Sequence, residues 1–350
     1  MKPLLAQLVD GQSLSTDQAV EAFDLIMSGQ ASPPQIAALL ALIQQRGATV
    51  DEMVGAATVM RRMATAVTAP AGLTLVDTCG AGGTGSRFFN ISTAAALVGA
   101  AAGRPRGIAV AKHGNRAVTS RSGSSQVLES LGVKLAVAGS TLTRCLDEAG
   151  FCFCFAPAHH PAMKHAVPVR RDLGIATIFN VLGPLTNPAG ARRQLMGVPT
   201  FEVGEKMADA LLRLDATRAM IVHSVLPDGR GLGELTTFGP ARVTELNHGM
   251  IKSYKIDPAT LDLPFAMPDA VTIDGSDESA AMIGSVLSGE HGPARDIVCL
   301  NAAATLVVAE AAKDMVQGLE MAVEAIDRGA ARNTLNLLVK ITQADPTPAA

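Results

Sequence analysis

The sequence contains no tryptophan, one tyrosine and ten phenylalanines. So little aromatic surface leaves few side chains to stack on bases or to line a sugar groove. Charge of one sign is also missing, because 29 Lys and Arg stand against 32 Asp and Glu for a net charge of -3. That balance is no footprint for a polyanion binder, and no nucleic-acid partner is expected. No run approaches the ~20 strongly apolar residues of a membrane span, and residues 1–10 lack a basic start followed by a long apolar stretch. The expectation is a cytoplasmic protein with no membrane partner. Cysteines are few: Cys79, Cys145, Cys152, Cys154 and Cys299. Their odd number and the lack of a C-x-x-C pair argue against a zinc site and for core thiols in a reducing compartment. Cys152 and Cys154 alternate with Phe151, Phe153 and Phe155 in what reads as a buried strand.

What is present suffices for a large interior. The chain has 350 residues, 48% of them apolar, and at roughly 150 residues per domain the expectation is two domains. The first seventy residues read as a small helical unit. Ser15 to Gln18, Ser32 to Gln35 and Thr49 to Glu52 each have capping-box spacing. Pro33 falls at a first helical position, where its missing N–H costs nothing. Ile36, Leu39, Leu40 and Ile43 repeat with helical period. The stretch from Thr68 to Gly72 breaks the pattern and reads as a hinge. From Leu73 short apolar strands alternate with helices. Strands are predicted at 73–78, 107–111, 133–137, 151–155, 195–198 and 219–223, and helices at 92–102, 124–131, 141–149 and 203–214. That alternation predicts an α/β domain with a mostly parallel central sheet flanked by helices. Beyond Arg295 the chain reads as helical again.

The strongest local signal runs from Val76 to Gly85, where glycines let the backbone turn tightly and offer N–H groups to an anion. Gly80, Gly82 and Gly85 satisfy G-x-G-x-x-G. Yet no helix opens inside the motif, and no acid near 100–106 stands ready for a ribose hydroxyl. A Walker loop is excluded, since no Gly-Lys-Ser/Thr closes the run. A flexible connector is the plainer alternative. Asn90, Ile91, Ser92 and Thr93 follow at a helix start, where they suit either a cap or a phosphate seat. A strand then ends in Lys112, His113, Gly114, Asn115 and Arg116, with Ser120, Ser122, Ser124 and Ser125 behind it. Cations, an amide and hydroxyls gathered at the carboxyl end of a strand mark a ligand site in an open α/β sheet. Together the three segments point to a ligand with several phosphates.

These motifs, in this order, resemble the anthranilate phosphoribosyltransferase family. The likeness continues through Phe155–Lys164, Pro168–Arg171 and Ile178–Pro188, and is weakest over 226–290. It implies a small helical domain, residues 1–70 completed by about 161–186, on an α/β domain formed by 73–160 and 190–345. It implies transfer of a phosphoribosyl group from 5-phosphoribosyl 1-pyrophosphate to anthranilate in tryptophan biosynthesis, with magnesium, in a homodimer formed through the helical domain. By that resemblance Gly80, Gly83, Thr84, Asn90, Ile91, Ser92 and Thr93 hold the donor. So do Lys112, His113, Gly114, Asn115, Arg116, Ala117, Val118, Thr119, Ser120 and Ser124. Gly80, Asn115, His160, Arg170 and Pro184 receive anthranilate. Ser92 and Glu234 hold magnesium, and Lys112 and Arg170 carry the catalytic charges. Arg170, beside Arg171, reads from its neighbours alone as a possible solvated helix face.

Three positions depart from the family pattern. Thr84 replaces an Asp, and Phe88 replaces a Thr that commonly contacts phosphate. Gly233 replaces the first member of a paired Asp-Glu metal motif, leaving Glu234. Asp228 is the nearest substitute carboxylate, though it also suits a turn. Gly233→Asp is expected to restore magnesium affinity unless a positive φ at 233 opposes the side chain. The alternatives to the main reading are a paralogue with another acceptor, a nucleoside phosphorylase and a non-catalytic family member.

Overall fold

A computed structural model describes residues 1–82, 87–116 and 123–347. The chain opens with helices α1 (Lys2–Val9), α2 (Thr16–Met27), α3 (Pro33–Arg46) and α4 (Val50–Arg62). The capping boxes at Ser15 and Thr49 are formed, and at Ser32 the Gln35 side chain accepts the Ser32 N–H at 3.0 Å. Each satisfies N–H groups that a helix start would otherwise leave bare.

Strand β1 (Thr74–Asp77) then leads to α5 (Ile91–Gly103) and β2 (Ile108–Gly114). Next come α6 (Ser124–Ser130), α7 (Gly139–Arg144), β3 (Phe151–Phe155), α8 (Ala156–His159), α9 (Val167–Leu173) and α10 (Phe179–Leu182). Strand β4 (Arg193–Gly197), α11 (Phe201–Arg213), β5 (Arg218–Val225), β6 (Gly231–Leu232), β7 (Ala241–Asn247) and β8 (Met250–Ile256) follow. Helices α12 (Ser276–Leu287), α13 (Pro293–Val308), α14 (Met315–Asp327) and α15 (Ala330–Gln343) complete the order. The sheet runs β3-β2-β1-β4-β5-β7-β8, with β6 beside β5. The pairings among β1 to β5 are parallel, and those of β6, β7 and β8 are antiparallel.

Two hydrophobic cores lie on the two faces of this sheet. Along β4 and β5, Met196, Ala219 and Ile221 join one core while Leu195, Met220 and Val222 join the other, the period-2 alternation of a strand buried on both sides. The first core holds α1 to α4 and α11, and also Ala166, Val169, Phe179 and Leu182 from α9, α10 and the turn before α9. The second holds α5, α13, α14 and α15. Helix α5 is almost all small residues and buried nearly all round. A Cβ on Gly99 would stand 3.2 Å from Thr305 of α13, so α5 crosses that helix at close range.

Two predicted elements are corrected. Residues 133–137 form no strand: Val133 and Leu135 dip into the core from an irregular connection between α6 and α7. The helix predicted at 141–149 starts at Gly139 and changes to a π-turn over Cys145–Ala149, closed by Gly150 at φ 71. The five cysteines are free and buried.

Candidate active site

Strands β1, β2 and β4 are neighbours and parallel, so Asp77, Gly114 and Gly197 end at one edge of the sheet. A cavity at that edge is lined by Thr78 and Gly80 after β1, Ser92 on α5, Gly197 at the end of β4, Gly233 and Glu234 after β6, and Asn301 on α13. This is the edge where an open α/β sheet receives ligands.

Lys112, near the end of β2, is 2% exposed. Its ammonium donates to the Thr78 carbonyl at 2.8 Å, the Thr78 hydroxyl at 3.1 Å and the Ser92 hydroxyl at 3.1 Å. Burial lowers its pKa, while Cys79, Asp77 and Glu234 pull it back up. Asn90 caps α5, its side chain accepting the Thr93 N–H at 3.1 Å. The Ser92 hydroxyl donates to that same side chain at 3.3 Å. Ile91 and Thr93 point into the protein and are buried, so at these two positions the main chain is what remains for a ligand.

His113, the next residue, turns to the opposite face of β2, as strand alternation requires. Its Nδ1 faces the Gly183 carbonyl at 2.9 Å and its Nε2 meets His160 Nε2 at 3.2 Å. A carbonyl accepts only, so a neutral His113 carries its proton on Nδ1. Burial drives His113 down to about 3 and His160 down to about 4, so both rings are neutral. The His113 N–H donates to Asp77 Oδ1 at 3.1 Å. Burial pushes Asp77 up to about 6 against the pull of Asn187 and Lys112.

Pro184 is buried in the turn that faces His113. Helix α10 leads into that turn and carries Phe179 and Asn180. The Arg170 guanidinium lies 5.2 Å over the Phe179 ring and donates to Asn180 Oδ1 at 3.4 Å. Arg170 is half-buried, whereas Arg171 is exposed and pairs with Asp172. The solvated-face reading therefore fits Arg171 and not Arg170.

Gly114 closes β2 against Ser124 at the start of α6. Asn115 is exposed. Arg116 pairs with Glu129 through two bonds of 3.0 and 2.9 Å, so it reaches solvent already engaged. Gly83, Thr84, Ala117, Val118, Thr119 and Ser120 lie outside the described residues.

The metal expectations divide. Ser92 and Glu234 do line one cavity. Burial pushes the Glu234 carboxyl up to about 7, Lys112 opposing. Among the described residues it has no hydrogen-bond partner, so an oxygen donor is left for a hard cation, which fits magnesium. Asp228 is not the substitute ligand: it is exposed at the β5–β6 turn, bonded to Arg230. Gly233→Asp has no room either. The φ at 233 lies outside the left-handed region, but a Cβ there would stand 2.8 Å from Gly197 C and Val198 N. The obstacle is backbone contact rather than the anticipated torsion. Phe88 is a core residue, 5.6 Å from Phe238 between ring centroids and bridged to Thr272.

Sequence reasoning missed Gly197 and Asn301. Asn301 donates to the Leu235 carbonyl at 2.7 Å and accepts the Leu235 N–H at 3.2 Å, fixing the loop that carries Glu234. A polar residue within a helix as apolar as α13 was its available signal.

The chain matches the glycosyl transferase family a/b domain over residues 72–332 and that family's helical bundle domain over residues 2–64. It is 46% identical to an anthranilate phosphoribosyltransferase of Laribacter hongkongensis over 97% of this chain and 96% of that one. The same identity holds for one of Moorella thermoacetica, over 97% of each chain. A crystal structure of anthranilate phosphoribosyltransferase from Thermus thermophilus matches with TM-score 0.87 and 38% identity, over 97% of this chain and 99% of that chain. The enzyme from Saccharomyces cerevisiae in complex with PRPP and Mg matches with TM-score 0.87 and 25% identity, over 98% and 97%. The helical unit and the larger domain with its mostly parallel sheet thus recur in the solved relatives, and the chain is a transferase belonging to the anthranilate phosphoribosyltransferase family.

Proposed function

We propose that this enzyme transfers the phosphoribosyl group of 5-phosphoribosyl 1-pyrophosphate to anthranilate, giving N-(5-phosphoribosyl)anthranilate and pyrophosphate for tryptophan biosynthesis. The observation that carries the reading is the convergence of the glycine-rich turn at Gly80, the α5 start at Ser92, buried Lys112 and Glu234 at one sheet edge. The donor is assigned to Gly80, Asn90 to Thr93, Lys112 to Arg116 and Ser124, with Gly83, Thr84 and Ala117 to Ser120 completing it. Anthranilate is assigned to Gly80 and Asn115 at the sheet edge and to His160, Arg170 and Pro184 on the other side of β2.

Breaking the bond from ribose C1 to pyrophosphate builds positive charge on the sugar and negative charge on the departing oxygens. Lys112, held by three oxygens, is a fixed cation for that negative charge and needs no reorganisation to act. Magnesium, when bound, neutralises the same oxygens, and Ser92 and Glu234 would hold it. An arylamine is already a neutral nucleophile, so orientation matters more than a strong base. Arg170 offers a planar fork to the acceptor carboxylate, and the Phe179 ring 5.2 Å from its guanidinium supports it there.

The shared core with α1 to α4 supports assigning residues 161–186 to the helical unit. We assign the chain to the cytoplasm and to a homodimer formed through that unit, with no membrane or nucleic-acid partner. Among the described residues no helix is long and apolar enough to cross a membrane.

The decisive test mixes the protein with anthranilate, phosphoribosyl pyrophosphate and magnesium and follows the loss of anthranilate fluorescence. Turnover is the expected result. Donor binding without turnover would point to another acceptor or to phosphorolysis. No donor binding would leave a non-catalytic family member.

A further inference from the structure

The loop that carries Glu234 is pinned from three sides. The Glu234 carbonyl accepts the Ser224 hydroxyl at 2.7 Å, and Leu235 is tied on both its main-chain groups to Asn301. On the third side Gly233 lies directly against Gly197. A Cβ built on Gly197 would fall 1.8 Å from the Gly233 carbonyl oxygen, and one on Gly233 would fall 2.9 Å from Gly197 Cα. The obstructing atoms are backbone, so no rotamer relieves the contact. Gly197 in turn accepts the Ala81 N–H at 2.8 Å, so the same contact holds the glycine-rich turn.

We infer that the donor site of this chain holds a single divalent cation, seated on Glu234 and Ser92, because the Gly197–Gly233 contact excludes a second carboxylate. This deepens the proposed function and rests on it. Magnesium binds through hard oxygens and favours carboxylates. Among the described residues no group of three or more His, Cys, Asp or Glu could hold a metal ion. Asp228 is spent on Arg230 at an exposed turn. The Ser92 hydroxyl is already met by a fixed positive charge, the Lys112 ammonium, 3.1 Å away.

The test counts ions without using turnover. Manganese binding to the full chain is followed by the electron paramagnetic resonance of free Mn²⁺, with phosphoribosyl pyrophosphate equimolar to protein and no anthranilate. One bound ion per chain is expected, weakened about tenfold or more in Glu234→Gln, which loses the charged ligand. Gly233→Asp is expected to keep a count of one or to lose stability outright, read as a lower melting temperature. Two ions in the unmodified chain overturn the inference, as does a Gly233→Asp chain that keeps its melting temperature and binds two. Calorimetry of the donor separates the two readings. A donor that fails to bind overturns the proposed function, whereas a donor that binds with two ions overturns the single-ion site alone.

Discussion

The Lys112 ammonium stands 3.1 Å from the Ser92 hydroxyl and 2.8 Å from the Thr78 carbonyl, so one buried charge fastens β2 to the turn after β1 and to the start of α5. It also sits within electrostatic reach of Asp77 and Glu234. The residue that neutralises the donor is therefore part of the fold as well.

Lys112→Ala should for that reason lose two things together. Removing one partner of a buried charge cluster costs about 3 kcal/mol, since Asp77 keeps its burial without its compensating cation. Donor affinity should fall by roughly one to two decades, the worth of a charge-assisted contact. Lys112→Arg should rescue neither, because a planar fork does not fit a slot where one nitrogen meets three oxygens. Denaturant unfolding and donor calorimetry read the two losses separately. An unchanged donor affinity would remove Lys112 from the site.

A pH titration of stability tests the neutral histidine pair. His113 and His160 have folded pKa values depressed to about 3 and about 4 from an ordinary 6.5. The unfolded chain takes up their protons first, so their contribution is present above pH 6.5 and is lost as pH falls toward 4. Asp77, raised to about 6, and Glu234, raised to about 7, act in the opposite sense. The folded chain holds their protons longer, so their contribution is present at low pH and is lost as pH rises through 6 and 7. Near pH 5 the two sets oppose each other. In magnesium-free buffer the His113→Asn/His160→Gln variant should therefore lose stability with rising pH more steeply than the unmodified chain. Each proton held differently is worth at most about 1.4 kcal/mol per pH unit. Parallel profiles of the two chains would mean that the pair is not buried neutral.

How far the sequence could be read follows from where the information is local. Capping residues act within four positions, so all three early helix starts were legible from Ser15, Ser32 and Thr49. The glycine-rich turn, the α5 start and the end of β2 were legible because each carries its chemistry in consecutive residues. The antiparallel pair β7–β8 was missed although its pairing is local, a hairpin closed at Asn247 and Met250, because it falls in the stretch of weakest resemblance. Residues 133–137 have a strand's composition but pair with no strand, although β3 is the terminal strand of the sheet, and Val133 and Leu135 are buried from an irregular connection instead. The refusal of a side chain at Gly233 was invisible, because it depends on Gly197, 36 residues away and in another strand's end.

Glu52 offers a test of the helical unit by itself. It is fully buried, and its carboxylate accepts the Leu14 N–H at 3.0 Å and the Thr49 N–H at 2.9 Å while pairing with Arg46. One side chain thus completes a helix cap and anchors the α1–α2 connection. Glu52→Ala leaves two N–H groups and a half-buried guanidinium without their acceptor, at a cost of about 3 kcal/mol. Glu52→Gln keeps an acceptor and should cost less. Hydrogen exchange should place the added opening in residues 1–62. Equal loss of protection in α13 would show that the helical unit has no stability of its own.

The acceptor side is tested through Arg170 and what supports it. Arg170→Ala should raise the Michaelis constant for anthranilate by roughly one to two decades, the value of a bidentate charged contact, and leave that of the donor nearly unchanged. Arg170→Lys should recover little, because an ammonium can neither bridge both carboxylate oxygens nor stack on Phe179. Arg171→Ala should behave like the unmodified chain, its side chain being exposed on the adjoining helix face. Phe179→Leu keeps an apolar side chain in the core but removes the ring lying 5.2 Å from the guanidinium. Cation–π support at a half-buried site is worth about 1 kcal/mol, so a rise of roughly fivefold in the anthranilate constant is expected. Phe179→Tyr should restore it, since the ring returns. If Arg170→Ala moves both Michaelis constants equally, Arg170 is a structural residue and the acceptor assignment fails. If Arg170→Ala acts on anthranilate alone while Phe179→Leu does nothing, the carboxylate contact stands and the ring merely fills space beside Phe23, 5.6 Å away.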